Sequence, residues 1–76
     1  MSGATKQKEL YIADIRWKTH FKRIFFEGSA TEQAARAFEG LSEKLGEMAQ
    51  SATSWEAMLA AVRVQYEKAG FTEIHP

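Results

Sequence analysis

From Glu9 to Glu27 the chain runs without a glycine, proline or asparagine, and it is dense in residue types that fit a pleated, half-buried surface: Tyr11, Ile12, Ile15, Trp17, Thr19, Phe21, Ile24, Phe25 and Phe26. Nothing in this run interrupts backbone pairing. Alternation sets Tyr11, Ala13, Ile15 and Trp17 on one side and Asp14, Arg16 and Lys18 on the other, the period-two pattern of a strand with one buried face. A reversal at Thr19-His20 turns the run into a hairpin in which Ile15 faces Ile24 and Ala13 faces Phe26 inside, while Arg16, Lys18, Phe21, Arg23 and Phe25 share the outside. The turn has none of the Asn-Gly or Gly-X chemistry that tight hairpins favour, which leaves a longer loop or another register open. Leu10, Ala13, Trp17, Phe21 and Ile24 also recur at helical spacing, so the alternative to the hairpin is a helix over about residues 9–27.

The segment that follows changes period. Ser29-Ala30-Thr31-Glu32 reads as a capping box and leads into Ala34, Phe38, Leu41, Leu45 and Met48 at heptad-like spacing, which predicts an amphipathic helix from about Thr31 to Gln50. Gly40 and Gly46 each weaken that helix by roughly 1 kcal/mol relative to alanine, and the second is placed to loosen or end its last turn. A polar connector over residues 50–54 leads to a second capping box, Thr53-Ser54-Trp55-Glu56, and to a helix whose buried stripe is Trp55, Met58, Leu59, Val62, Tyr66 and Ala69. Lys68 followed by Gly70 marks its end with a favourable charge and a left-handed stop. So short a connector makes the helices antiparallel neighbours. Phe71-Thr72-Glu73-Ile74-His75 then reads as a short final strand or apolar anchor. The expected fold is a small α+β domain: a β-hairpin, two antiparallel helices on one face of the sheet and a short C-terminal strand, with a three-helix bundle as the alternative. Trp17 and Trp55 fall on the apolar sides of their elements and are both expected in the core.

With 76 residues there is room for one domain, of a size that buries only about 60% of its unfolded surface. Residues 1–8 are expected to be a flexible leader and residues 9–76 the domain. Cysteine is absent, which removes disulfides, thiolate metal sites and cysteine nucleophiles and leaves no sign of an oxidising compartment. No apolar run approaches a signal-peptide core or the ~20 residues of a membrane span, so a cytoplasmic protein without membrane association is expected. Ten basic and ten acidic residues cancel, but unevenly: residues 1–30 carry a net charge of +3 and residues 31–76 a net charge of −3. Whole-domain basicity is the usual footprint of nucleic-acid binding, and a bipolar chain favours a partner with a matching pattern instead. Near-zero net charge also eases self-association, so a homodimer is among the expected states.

Chemistry has few places to reside. His20 and His75 are the near-neutral titrating side chains, neither in a metal or catalytic spacing, and Asp14 is the single aspartate. The chain has no nucleophile elbow, Walker loop, dinucleotide fingerprint, EF-hand loop or zinc spacing. No catalytic residue, metal or cofactor is assigned, and the protein is expected not to be an enzyme. Two surfaces remain. The first is the basic aromatic hairpin face of Arg16, Lys18, Phe21, Lys22, Arg23 and Phe25, residue types that single-stranded nucleic-acid binders use for stacking and backbone contact and that protein interfaces use as anchors. The second is Glu39, Glu43 and Glu47, which recur every four residues and repel one another along one helix; they would suit a basic protein groove. An apolar strip of Ala57, Ala60 and Val64 beside the second helix's core stripe widens the core or contacts a second copy.

In general type, a very short cysteine-free domain with a charge-patterned surface and no catalytic motif, the chain is similar to phage and mobile-element proteins that inhibit host machinery, anti-CRISPR proteins among them. That resemblance implies a non-enzymatic protein-binding module that occupies a surface on a larger protein or nucleoprotein complex. The alternative is a single-stranded nucleic-acid binder using the hairpin face.

Overall fold

The computed structural model describes residues 8–75. The chain forms β1 (Lys8–Trp17), β2 (His20–Ser29), α1 (Glu32–Glu43), α2 (Leu45–Ser51), α3 (Trp55–Lys68) and β3 (Thr72–Ile74). The strands make one antiparallel sheet in the order β1-β2-β3, and the helices cover one of its faces. This is the α+β architecture expected from the period-two and helical patterns; the three-helix alternative is excluded, since residues 8–29 pair as a hairpin. Residues 1–7 of the expected leader lie outside the described residues, and Lys8 already belongs to β1.

The hairpin register differs from the expected one by two residues. The chain reverses at Lys18-Thr19, so Ala13 pairs with Ile24, Tyr11 with Phe26 and Ile15 with Lys22. A two-residue shift keeps every side chain on its own face, which is why the inner face survives intact. Lys18 makes the tight turn by adopting φ 55°, a left-handed conformation that a lysine reaches at a cost. Aromatic stacking at the tip offsets it: the His20 ring lies 5.9 Å from Trp17 and 5.1 Å from Trp55, and the Lys18 ammonium is 4.8 Å from the Trp17 ring centre. The two tryptophans therefore clasp the hairpin tip to the start of α3. They are half-buried, not core residues as expected, because their rings flank an exposed histidine.

The expected single helix is broken at Lys44. Its N–H reaches back to the Leu41 carbonyl at 3.0 Å, a tightened last turn, and α2 starts at once on the Lys44 carbonyl, which accepts from the Met48 N–H at 3.1 Å. Gly40 and Gly46 flank the break with nothing near their missing side chains, and the bend keeps Leu41, Leu45, Met48, Ala49 and Ala52 against the core. The caps are also shorter than the expected boxes. Thr31 caps α1 through the Ala34 N–H at 3.1 Å, since Ser29 is still in β2; Ser54 caps α3 through the Ala57 N–H at 3.0 Å. α3 returns antiparallel to α1 and α2, and the Tyr66 hydroxyl meets Ser42 Oγ at 3.1 Å.

The end of α3 turns as its sequence predicts. Gly70 takes φ 99°, the Gly70 N–H bonds the Glu67 carbonyl at 3.0 Å and the Phe71 N–H bonds the Tyr66 carbonyl at 3.0 Å, the paired bonds of a Schellman motif. This stop delivers Phe71 into the core and lays β3 along β2, with Phe25 opposite Ile74 and Phe26 opposite Glu73. Arg63 fixes the new strand to α3 by donating Nε to Glu73 Oε1 at 2.8 Å and a second N–H to Oε2 at 3.3 Å. The core is Tyr11, Ala13, Ile15, Ile24, Phe26, Phe38, Met58, Val62, Tyr66 and Phe71.

Gly28 is the glycine this packing requires. A side-chain carbon there would lie 2.5 Å and 2.8 Å from two atoms of the Phe71 ring. Gly28→Ala should therefore destabilise the domain by about 1–3 kcal/mol through overpacking, and each kcal/mol lowers the melting temperature by roughly 4–8 °C at this size. A thermal melt checks it; an unchanged midpoint would mean that Phe71 does not rest on β2.

Candidate protein-binding face

Because opposite residues of an antiparallel pair share a face, the register fixes the outer surface of the sheet row by row. Arg16 opposes Phe21, and Asp14 opposes Arg23; Ile12, Phe25 and Ile74 form a row across all three strands, followed by Leu10, Glu27 and Thr72. No helix among the described residues covers this face. Leu10, Ile12 and Phe21 are 53%, 46% and 49% exposed, while Phe25 and Ile74 are half-buried by their neighbours. The result is an apolar surface continuous across the sheet, with Arg16, Asp14 and Arg23 toward the turn end and Glu27 on its other side.

Those charges are mutually engaged. Arg23 donates from Nε to Asp14 Oδ1 at 2.7 Å and from its terminal nitrogen to Oδ2 at 3.2 Å. The hydrogen bond from Arg23, helped by the charges of Arg23 and Arg16, lowers the Asp14 pKa below its ordinary 3.8, and the carboxylate in turn raises that of Arg23. The Arg16 guanidinium lies 5.1 Å from the Phe21 ring centre, stacked as a cation on an aromatic ring. From the Arg16 row to the Leu10 row the face thus holds two guanidiniums and two carboxylates, Asp14 and Glu27.

Of the hairpin residues singled out in the sequence, the structure brings Arg16, Phe21, Arg23 and Phe25 together. Lys18 is in the turn, and Lys22 opposes Ile15 on the helix-facing side, where it is exposed beyond the core. The parity that places Arg16 outside also places Leu10 and Ile12 there; that signal is present in the chain, but the charged residues beside it give the run a basic appearance. Ile74 joins them only through β3 pairing, which no local pattern foretells. Glu39 and Glu43 are exposed one turn apart on α1, and Glu47 is exposed in α2, beyond the break at Lys44 and beside the groove lined by Met48, Ala57 and Ala61. The acidic stripe is thus divided between two helices. Of the apolar strip on α3, Ala60 and Val64 are exposed and Ala57 is half-buried.

No group of three or more His, Asp or Glu side chains among the described residues could hold a metal ion, and none of their helices is long and apolar enough to cross a membrane. A scan of protein-family models and searches of curated proteins and of solved structures found no match. Function is therefore read from the geometry alone.

The Asp14–Arg23 pair gives this face a pH signature. A carboxylate whose folded pKa is lowered adds stability above its unfolded value, and that stability is lost as pH falls through the folded one. Asp14→Asn should melt at a lower temperature than the parent near neutrality, and the gap should close as pH drops through and below 3.8. Paired melts over that range test it; a gap that is constant with pH would mean that Arg23 does not hold the carboxylate in solution.

Proposed function

We propose that this protein is a non-enzymatic binding module that docks the outer face of its sheet onto a larger protein or nucleoprotein complex. The observation that carries the reading is the uncovered row of Ile12, Phe25 and Ile74, with Phe21 and Leu10 exposed beside it. Aromatic and aliphatic anchors at the centre of a rigid sheet supply affinity on desolvation, and the rim charges set orientation and association rate. Occupying a partner's surface in this way is inhibition by occlusion, the mode expected of small phage-type inhibitors such as the anti-CRISPR class that the chain resembles in kind.

The charge pattern supports this reading over nucleic-acid binding. A phosphate-tracking face needs cations unengaged by local acids, whereas here Asp14 takes up Arg23, and Glu27 shares the same surface. The balance suits a protein surface of mixed polarity.

The test is capture of a partner from the native host by the tagged protein, in parallel with the variant Ile12→Ser/Phe21→Ala and with Glu39→Gln/Glu43→Gln/Glu47→Gln. The outer-face variant should lose the partner, with affinity falling by about tenfold or more for removal of two anchors, while keeping a cooperative melt. The glutamine variant should retain it. Retention by the outer-face variant would refute the assignment of this face, and loss only with the glutamine variant would move the interface to the helices. Binding of single-stranded RNA or DNA that weakens by orders of magnitude with rising salt would replace the protein-binding reading with the nucleic-acid one.

A further inference from the structure

Apart from its open face, the sheet has an edge with no strand beside it among the described residues. β3, three residues long, ends one side; β1, ten residues long, forms the other. One alternate set of its backbone N–H and C=O groups points away from β2, a template for another strand. Natural edges are usually blunted by a proline, a bulge or a charge at the centre of the strand. β1 has no proline, and its pairing with β2 runs one-to-one from Lys8↔Ser29 to Trp17↔His20 without a bulge. Its centre, Leu10 to Ala13, is uncharged.

The outward side chains of this strand are Lys8, Leu10, Ile12, Asp14 and Arg16; the first four read in order a cation, two apolar groups and an anion, and Arg16 falls beyond that span, toward the turn. Reversed, the same series begins with an anion and ends with a cation. Such a pattern complements itself in antiparallel alignment. We infer that β1 pairs antiparallel with β1 of a second copy about a two-fold axis at Tyr11, joining two three-stranded sheets into one of six strands. In this register Lys8 opposes the partner's Asp14, Leu10 opposes the partner's Ile12, and the two-fold repeats each pair. Odd residues meet odd and even meet even, so both copies present their helices on one side and their open faces on the other. The contact is isologous, as a closed dimer requires, and zero net charge removes the self-repulsion that would oppose it. The partner's Lys8 reaches Asp14 from the side opposite Arg23, leaving that carboxylate between two cations. Leu10 and Ile12, half exposed in the single copy, cover each other across the new seam. The inference does not depend on the function proposed above: Phe21, Phe25 and Ile74 lie away from the seam and stay uncovered, and Leu10 and Ile12 are the residues the two surfaces share.

The test is sedimentation equilibrium of the full chain over a wide concentration range. The parent should be a dimer dissociating on dilution. Lys8→Glu sets a carboxylate against the partner's Asp14 at both ends of the seam, and Asp14→Lys sets an ammonium against the partner's Lys8 at both ends; each variant alone should dimerise at least about tenfold more weakly than the parent. Mixing the two variants should restore the dimer beyond what either forms alone, because the mixed pair replaces like-charge contacts at one end by an anion facing a cation and leaves the other end to the same attraction with the signs exchanged. Asp14→Lys also loses its bond to Arg23, so its fold is checked by circular dichroism. Leu10→Lys, at a site 53% exposed, is the second route: it sets a lysine against the partner's Ile12 on both sides of the two-fold axis and should yield a folded monomer. A parent that is monomeric at every concentration, or a dimer unaffected by Leu10→Lys and not rescued by mixing, would overturn the inference.

Discussion

Five aromatic rings, drawn from nearly every element of the chain, hold the molecule together. Tyr11 comes from β1, Phe26 from β2, Phe38 from α1, Tyr66 from α3, and Phe71 from the turn into β3. Phe38 is the hub, with ring centres 4.9 Å from Tyr11, 5.0 Å from Tyr66 and 5.1 Å from Phe71; Phe26 stacks on Tyr66 at 4.8 Å. Pairs of this kind add about 0.5–1.5 kcal/mol each beyond the area they bury. Both tyrosines bring a hydroxyl into the cluster and satisfy it, Tyr11 by donating to the Ser29 carbonyl and Tyr66 by sharing a hydrogen with Ser42 Oγ. Burial raises the pKa of both phenols, keeping them neutral.

A cluster that takes rings from β1, β2, α1, α3 and the turn into β3 commits α1 and α3 to the same side of the sheet, and α2 follows through the partly buried Leu45, Met48 and Ala49 packed against the core. Among the described residues no element lies on the other side. The core accounts for Ile24 and Phe26 on the inner side of β2; the row of Ile12, Phe25 and Ile74 on the outer side is apolar without being required by it. Lone exposed apolar residues are ordinary on protein surfaces; a row of them, aligned across three strands with charges of both signs on either side, is a surface suited to a partner.

The hairpin, the two helical segments and the final strand were legible in the sequence because each rests on a local period or a local signal: alternation at Tyr11, Ala13 and Ile15, heptad spacing around Phe38, Gly70 at a helix end. What was not legible is what depends on contacts between elements. The turn at Lys18-Thr19 carries no turn chemistry, and its register is stabilised by Trp17, His20 and Trp55, which meet only when α3 has docked. The bend at Lys44 leaves Leu41 on one side and Leu45 and Met48 on the other against the core, and Gly40 and Gly46 on either side of it have nothing near their missing side chains. Of the candidate binding residues, Arg16, Phe21, Arg23 and Phe25 lie together because a two-residue register shift preserves parity. Lys22 does not join them, because its own parity sets it opposite Ile15. The basic character suggested by the hairpin's sequence is tempered on this face by Asp14, which engages Arg23.

The account stands on the claim that the aromatic cluster couples hairpin and helices into one cooperative unit, and Phe38→Ala addresses it directly. The reporters are independent: the fluorescence of Trp17 and Trp55 follows the hairpin tip, on the far side of Ile15 and Ala13 from the cluster, and far-ultraviolet circular dichroism follows the helices. Removing the hub ring should cost about 3–5 kcal/mol, and both signals should shift together to a lower midpoint or be lost together. A variant that melts within a few degrees of the parent, or in which the tryptophan signal keeps its parental midpoint while the helical signal falls, would contradict a single core organised around Phe38.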